Sequence, residues 1–279
     1  MTAIIVHGGA GATPPDRHDR LRAGVRAAAG VGDAILVAGG SALDAVVASV
    51  RVLEDDPEFN AGLGSALTRD GTVETDASVM CGATQRVGAV AAVPDLGCAI
   101  ALARAVLDRG EHAILAGPAA WEFAREVGIS PAPGSLITDR ARKRLAEKGT
   151  VGAVARDREG RFAAATSTGG IVGKRAGRVG DSPIPGAGTW ADGNVALSAT
   201  GDGEAILRVA LTRSISLRGG DLRMAIIDSL RELARITGGS AGVIGVDRDG
   251  VVGVQLSTTM PIAWADHPGE VMDSMGHRP

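Results

Sequence analysis

Hydrophobic positions along the chain switch between two periods. Residues 3–6 (Ala-Ile-Ile-Val) form a short continuous apolar run, the pattern of a fully buried strand, and it ends in the glycine-rich His7-Gly8-Gly9-Ala10-Gly11-Ala12. Thr13, Pro14, Pro15 and Asp16 then carry helix-start chemistry: a hydroxyl cap, proline in the first turn and an acid three positions on. They predict a helix to about Gly30. A second helix is predicted from Ser41, with Asp44 completing its cap, through Leu43, Val46, Val47, Val50 and Leu53. Glu54-Asp55-Asp56-Pro57 stops it. Alternating segments predict strands near 72–80 and 86–93, and residues 97–109 and 117–127 read as helices.

The middle of the chain changes character. Residues 128–149 hold Pro/Gly turn signals followed by the mixed-charge stretch Thr138 to Lys148, and read as a linker with a short helix over Arg140–Glu147. Directly beyond it, Thr150–Arg156 and Arg161–Thr168 read as two strands joined by the turn Asp157-Arg158-Glu159-Gly160. A strand near 195–200 leads through Gly201 into a helix with apolar residues at 205, 206, 209 and 210. Another helix carries Leu222, Ala225, Ile226, Leu230 and Leu233, and 241–247, the turn Arg248-Asp249-Gly250 and 251–256 repeat the hairpin pattern. The last dozen residues are expected to fray. Strands arriving as hairpins, with helices in consecutive pairs, speak against regular βαβ alternation. They predict a single α/β (α+β) domain over 1–279, a four-layer αββα sandwich of two mostly antiparallel sheets.

Composition narrows the function classes. With 29 basic against 32 acidic residues and a net charge of −3, the chain is neither a cationic nucleic-acid glove nor a polybasic membrane binder. No apolar run reaches the length of a membrane span. The opening Met-Thr-Ala-Ile-Ile-Val-His lacks the basic and long apolar regions of a secretory signal, so a cytoplasmic protein is expected. Cys81 and Cys98 are too few for a disulfide scaffold and read as buried small residues. Tyrosine is absent and only three Phe and three Trp occur, so the core must come from Ala, Val, Ile and Leu. The 41 glycines show no collagen-like period and gather at the ends of apolar segments, where tight turns or a close ligand need a missing Cβ.

Several familiar patterns fail on context. Gly238-Gly239-Ser240-Ala241-Gly242 fits G-x-S-x-G, yet it follows a helix and precedes a strand, the reverse of a nucleophile elbow. Gly173-Lys174-Arg175 resembles the end of a phosphate loop, but Thr168 stands at the first glycine position and Arg175 at the Ser/Thr position. His7 to Ala12 follows a strand without the G-x-G-x-x-G spacing of a dinucleotide site, and the five histidines show no metal spacing.

What stands out is threonine beside glycine. Gly149-Thr150-Val151-Gly152 opens a strand after the linker, and Thr166-Ser167-Thr168-Gly169-Gly170 ends its partner. Gly177-Arg178-Val179-Gly180-Asp181-Ser182-Pro183 forms a polar loop, and Ser198-Ala199-Thr200-Gly201-Asp202-Gly203-Glu204 joins strand to helix. In this order the strings resemble the plant-type asparaginase and isoaspartyl peptidase family of N-terminal nucleophile (Ntn) hydrolases, which includes glycosylasparaginase. The resemblance covers nearly the whole chain. A threonine hydroxyl is a poor nucleophile that needs a base. Cleavage between Gly149 and Thr150 supplies one, because the new α-amine has an unperturbed pKa of about 7.7–8.0.

The resemblance implies chains 1–149 and 150–279, with Thr150 as nucleophile and Thr168 orienting it. Thr200, through its hydroxyl, and Gly201, through its N–H, would line the oxyanion hole. Arg178 would clamp the substrate α-carboxylate and Asp181 its α-ammonium, with Gly203 shaping that turn and Asn60 lying near the site. The backbone carbonyls of Leu53, Glu54, Asp56, Phe59, Ala61 and Leu63 would hold a structural monovalent cation, sodium or potassium, with no cofactor required for the chemistry. Expected substrates are L-asparagine and β-aspartyl dipeptides, turned over through a β-aspartyl ester. No nucleic acid or membrane partner is expected, and the assembly implied is a dimer of αβ heterodimers. Two alternatives stay open. Ser182–Gly188 and Asp202 lean toward a glycosylasparaginase-like hydrolase of N4-substituted asparagine, and the short linker admits an unprocessed, non-catalytic homologue. In Ser257–Ala263, Ile262 stands where relatives often carry Arg, at the leaving-group side of the expected pocket.

Overall fold

A computed structural model describes residues 1–131, 134–143, 149–256 and 259–276. The N-terminal part contributes β1 (Ala3–His7), α1 (His18–Val37), α2 (Ala42–Glu54), β2 (Glu74–Cys81), β3 (Val87–Pro94), α3 (Ala99–Arg109), β4 (Ile114–Ala116), α4 (Ala120–Glu126) and α5 (Asp139–Lys143). Beyond Thr150 come β5 (Val151–Arg156), β6 (Phe162–Thr168), β7 (Thr189–Ala191), β8 (Ala196–Gly201), α6 (Gly203–Val209), α7 (Leu211–Arg218) and α8 (Leu222–Thr237). The chain closes with β9 (Ala241–Val246), β10 (Val251–Gln255), β11 (Ile262–Ala265) and β12 (Met272–Ser274).

Among the described residues the strands form two sheets, ordered β12-β11-β1-β5-β6-β2-β3-β4 and β10-β9-β8-β7. Every pairing is antiparallel except β3 with β4. Side-chain alternation divides each central strand between two cores. Ile4 and Val6 of β1, and Val151, Ala153 and Ala155 of β5, pack under α1 and α2, whereas Ile5 and Val154 face the second sheet. On that sheet Leu197, Ala199 and Val243 face α6–α8, while Ala196, Ile244 and Val246 face inward. The four-layer αββα sandwich is therefore the observed architecture. No helix among the described residues is long and apolar enough to cross a membrane.

Several local expectations change. The segment after Thr13 forms only a 3-10 turn at Pro15–Arg17 with no side-chain cap, and α1 starts at His18. It then runs through Gly30 to Val37. Burial outweighs the glycine penalty of about 1 kcal/mol there, since a Cβ on Gly32 would lie 2.2 Å from Ile4 Cδ1 and 2.4 Å from Ser49 Oγ. Glycine at this position is the condition for close packing rather than a stop. The helix expected over 205–210 breaks at Ala210, whose φ of 46° separates α6 from α7. β4, β7 and β11 are too short to carry a period, and β12 adds a strand to the segment expected to fray. The linker helix is present over Asp139–Lys143, and the remainder of the expected Arg140–Glu147 lies outside the described residues. So do Ser257 and Thr258, whereas Ile262 is fully buried in the inter-sheet core. Cys81 and Cys98 are free thiols and only partly buried, since one ends β2 and the other precedes α3.

Between the sheets the apolar core gives way to a ladder of buried polar groups. His7 Nε2 lies 2.9 Å from Ser198 Oγ, which lies 2.8 Å from Thr166 Oγ1. Thr189 Oγ1 donates to Thr166 Oγ1 at 2.6 Å, and Ser78 Oγ reaches Thr189 Oγ1 at 2.8 Å and Ser182 O at 2.6 Å. Complete burial lowers the His7 pKa to about 3, so the imidazole is neutral within the ladder. A buried hydroxyl left unpaired costs about 1–3 kcal/mol, so the ladder fixes how one sheet sits on the other. Gly152 makes room for it: a Cβ there would lie 2.1 Å from Ser198 Oγ and 2.5 Å from His7 Nε2. Gly152→Ala is expected to cost about 1–3 kcal/mol by overpacking this layer. Thermal unfolding checks it, and an unshifted melting temperature would mean that the ladder is slack.

Candidate active site

Thr150 sits at the head of β5 in the middle of the larger sheet, only 6% exposed. Neighbouring elements converge on the peptide bond that precedes it. The Gly149 carbonyl accepts a hydrogen bond from Asn60 Nδ2 at 2.7 Å and another from Thr168 Oγ1 at 3.0 Å. Both donors are held in turn. Asn60 Nδ2 also donates to Gly170 O at 2.6 Å, and its Oδ1 accepts the Ala66 N–H at 2.7 Å. The Gly169 N–H donates to the Asn60 carbonyl at 3.0 Å. Thr168 Oγ1 accepts the Gly170 N–H at 2.9 Å, which leaves its hydrogen to point at Gly149.

The glycine-rich turn after β1 closes over the same peptide. Gly9 has φ of +105°, and a Cβ on it would stand 3.1 Å from Gly149 Cα and 3.2 Å from Thr150 N. The next residue, Ala10, donates its N–H to Thr200 Oγ1 at 3.0 Å. With that lone pair used, the Thr200 hydroxyl hydrogen is available to another acceptor. Gly201 follows with φ of +139°, the freedom that lets β8 turn into α6.

Arg178 and Asp181 meet beside the first residue of α6. A Cβ on Gly203 would lie 2.8 Å from Asp181 Oδ1 and 2.9 Å from Arg178 Nη2, so the absent side chain keeps this corner open. Arg178 spends one edge of its fork on Glu204, with Nε–Oε1 and Nη2–Oε2 distances of 2.9 Å. Asp181 is 4% exposed, and its Oδ2 has no hydrogen-bond partner among the described residues. Burial raises its pKa to about 7, against the opposing pull of its own backbone amide and of Arg178. A cation beside Asp181 would restore the solvation that burial removed. The arrangement presents a guanidinium and a carboxylate to one ligand, three residues apart on a single loop.

The expected cation loop is ordered around the end of α2. Pro57 has no N–H to give Leu53 O, and the Glu58 N–H donates to Asp56 Oδ1 at 3.0 Å. The Asp56 and Ala61 carbonyls accept the Phe59 and Gly64 N–H groups, each at 3.1 Å. The side-chain carboxylates turn elsewhere: Asp56 pairs with Arg20, and Glu54 takes the Ser167 hydroxyl at 2.6 Å and the Ile100 N–H at 3.0 Å. Burial raises the Glu54 pKa to about 7. No cluster of three His, Cys, Asp or Glu side chains among the described residues suits a metal. Any ion here would rely on carbonyl oxygens, which suits a weakly charged, hard cation.

The contacts gather Asn60, Gly149 and Thr168 at Thr150, tie Thr200 to them through Gly9 and Ala10, and group Arg178, Asp181 and Gly203 in a corner whose next residue, Ser182, reaches Thr150. Ser182 was missed: its Oγ lies 3.5 Å from Thr150 Oγ1, and its carbonyl anchors the inter-sheet ladder. Glu204 was missed as the partner of Arg178. Both stand inside the strings already singled out, and only three-dimensional proximity gives them a role.

A family model described as asparaginase matches residues 1–149 and, in a second segment, 141–276. The chain belongs to the asparaginase family. It is 45% identical over 284 residues to the isoaspartyl peptidase/L-asparaginase of Bos taurus, covering 94% of this chain and 92% of that protein. The Homo sapiens isoaspartyl peptidase/L-asparaginase gives the same identity and coverage, 45%, 94% and 92%. A plant-type L-asparaginase of Pyrobaculum calidifontis is 42% identical over 298 residues, 97% of this chain and 99% of that protein.

The buried Asp181 has a consequence for stability. Its folded-state pKa lies above that of an unfolded aspartate, near 3.9, so between pH 4 and 7 the folded chain of this asparaginase-family member holds the extra proton. Stability contributed at this position therefore falls as pH rises through that window and levels off above about 7. Asp181→Asn removes the titration. The variant is expected to melt at a higher temperature than wild type at pH 8, with the gap closing toward pH 4; a pH-independent gap would contradict the assignment.

Proposed function

We propose that this chain is a self-processing threonine amidohydrolase acting on the side-chain amide of L-asparagine and on β-aspartyl (isoaspartyl) peptides. The observation that carries the reading is the Gly149 carbonyl, held by Asn60 Nδ2 and Thr168 Oγ1 immediately before a buried threonine. The printed names of the mammalian relatives, isoaspartyl peptidase/L-asparaginase, support both substrate classes.

In the processing step Thr150 Oγ1 attacks the Gly149 carbonyl carbon. The developing oxyanion is stabilised by the two donors already on that oxygen, each worth about 3 kcal/mol in such a role. Collapse breaks the C–N bond, the Thr150 nitrogen takes up the proton that its hydroxyl gave up, and an ester links Gly149 to the Thr150 oxygen. Water then hydrolyses the ester, leaving chains 1–149 and 150–279 and a free Thr150 α-amine. In turnover that amine accepts the hydroxyl proton as Thr150 Oγ1 attacks the substrate amide. Thr200, through its hydroxyl, and Gly201, through its N–H, receive the new oxyanion, while Arg178 and Asp181 hold the α-carboxylate and α-ammonium. Ammonia or an amino acid leaves, and water releases aspartate from the β-aspartyl ester.

The carbonyls of Leu53, Glu54, Asp56, Phe59, Ala61 and Leu63 are proposed to hold a sodium or potassium ion. It would brace the loop carrying Asn60 and supply no step of the chemistry. The family resemblance supports a dimer of such two-chain units.

Denaturing mass spectrometry tests processing directly. Wild-type protein is expected as two chains, and Thr150→Ala as one species of 28.1 kDa with no amidase activity. An intact wild-type chain after prolonged incubation would favour a non-catalytic homologue. Asn60→Ala is expected to slow cleavage by about 10²–10³-fold, the cost of one oxyanion donor, followed by the rate of appearance of the 150–279 chain. Arg178→Lys replaces a planar fork by a point charge and should raise KM for asparagine by about tenfold or more, measured by ammonia release. Comparing ammonia release from asparagine with aspartate release from β-aspartyl-leucine ranks the substrates.

A further inference from the structure

The loop bearing Arg178 and Asp181 is held from behind by residues outside the proposed chemistry. Residues 67–69 pair with 173–174, and 67–73 folds back on itself as a turn in which Leu67 bridges Val73. The Gly173 N–H donates to Leu67 O at 2.9 Å, the Arg69 N–H donates to Lys174 O at 2.9 Å, and Thr68 bridges Lys174 in the parallel sense. Directly after this turn, the Glu74 carboxylate accepts the Gly177 N–H at 2.8 and 3.1 Å. Gly177 is the residue immediately before Arg178.

Lys174 braces Glu74 from the interior. Its side chain is 0% exposed, its Nζ donates to Glu74 O at 2.9 Å, and it lies 4.0 Å from Glu74 Oε2. Burial lowers its pKa while Asp76 and Glu74 pull it back up. The aliphatic stem passes Gly170, where a Cβ would meet Lys174 Cδ at 2.9 Å and Nζ at 3.1 Å. Gly170 is itself bonded to Thr168, so one lysine touches both the nucleophile side and the clamp side of the site. Two positions along β2, Asp76 is buried, with Oδ1 accepting the Ala92 N–H at 2.7 Å. Lys174 and Arg178 are the cations that oppose the rise in its pKa.

A buried ammonium costs several kcal/mol unless its partners are well placed, and a surface loop does not need one to stay folded. The geometry calls for a device that fixes a distance. We propose that Glu74 and Lys174 are positioning residues for the substrate clamp: Glu74 holds the Gly177 N–H, Lys174 holds Glu74, and together they set where Arg178 and Asp181 stand. The pair does not touch substrate. It fixes the spacing between the groups that receive the α-carboxylate and the α-ammonium. This rests on the proposed amidohydrolase reading and adds specificity determinants to it.

The test is steady-state kinetics with L-asparagine on fully cleaved variants, with L-aspartate as competitive inhibitor. Glu74→Ala and Lys174→Met are each expected to raise KM, and the aspartate Ki in parallel, by about tenfold with kcat within about threefold, because ground-state placement is lost while Thr150 is unmoved. Glu74→Gln keeps an oxygen for the Gly177 N–H and should return KM to within about threefold of wild type. Glu74→Asp draws that oxygen back by one methylene with the charge retained, and should raise KM in a folded protein even if the Ala and Met variants do not fold. KM and Ki unchanged in Glu74→Asp, or losses confined to kcat, melting temperature or the fraction of chains cleaved, would overturn the proposal. Wild-type protein that neither cleaves nor releases ammonia would instead overturn the amidohydrolase reading itself.

Discussion

The oxygen of Gly149 takes two side-chain hydrogen bonds, and much of the architecture exists to deliver them. Asn60 arrives from the loop after α2, Thr168 from the end of β6, and Gly149 itself lies where the linker enters β5. In a ground-state peptide such bonds net only about 0.5–1.5 kcal/mol each. When the oxygen becomes an oxyanion, a fixed donor is worth about 2.7–4 kcal/mol. The same contacts thus contribute modestly to the intact chain and strongly to a tetrahedral intermediate, the differential that accelerates a reaction. That gain requires donors fixed beforehand. Asn60 meets the condition by spending its other amide atom on Ala66, and Thr168 by accepting from Gly170.

Holding this geometry burdens the fold with buried ionisable groups. His7, Glu54 and Asp181 all lie in the interior, and each is pushed toward its neutral form, to about 3, 7 and 7 respectively. For His7 the neutral form matches its task, because it joins a ladder of hydroxyls. Asp181 differs: in the proposed reaction its charge is needed only when an ammonium arrives. Its cost to the empty protein is offset by the ligand, so binding and ionisation are coupled there.

The sequence legibly carried the layers and most of the site, for a physical reason. Long elements such as α2 and α8 repeat their period often enough to stand out, and capping by Ser41 and hairpin turns such as Asp157–Gly160 are local chemistry. What escaped was set by tertiary distance. Gly30 reads as the end of a helix, but, two residues on, Ile4 and Ser49 leave no room for a side chain at Gly32, and the helix continues. Ala210 offers no breaker signal, yet it adopts a left-handed conformation that turns α6 into α7. Ser182 and Glu204 sat inside recognised strings without a role, because the partners that define them, Thr150 and Arg178, lie 32 and 26 residues away.

One loop couples the two stages of the proposed chemistry. Gly9 lies against Gly149 and Thr150, while Ala10, the next residue, donates to Thr200. In the uncut chain the Gly149 carbonyl is covalently adjacent to Thr150, so a substrate amide would compete for Oγ1 at a large disadvantage in effective concentration. Cleavage removes that competitor and exposes the amine that turnover needs. The donors of the two stages are separate, Asn60 and Thr168 for the first and Thr200 and Gly201 for the second. The glycine-rich turn lies against the peptide that the first set holds and bonds a hydroxyl of the second, so it borders both stages of the proposed chemistry.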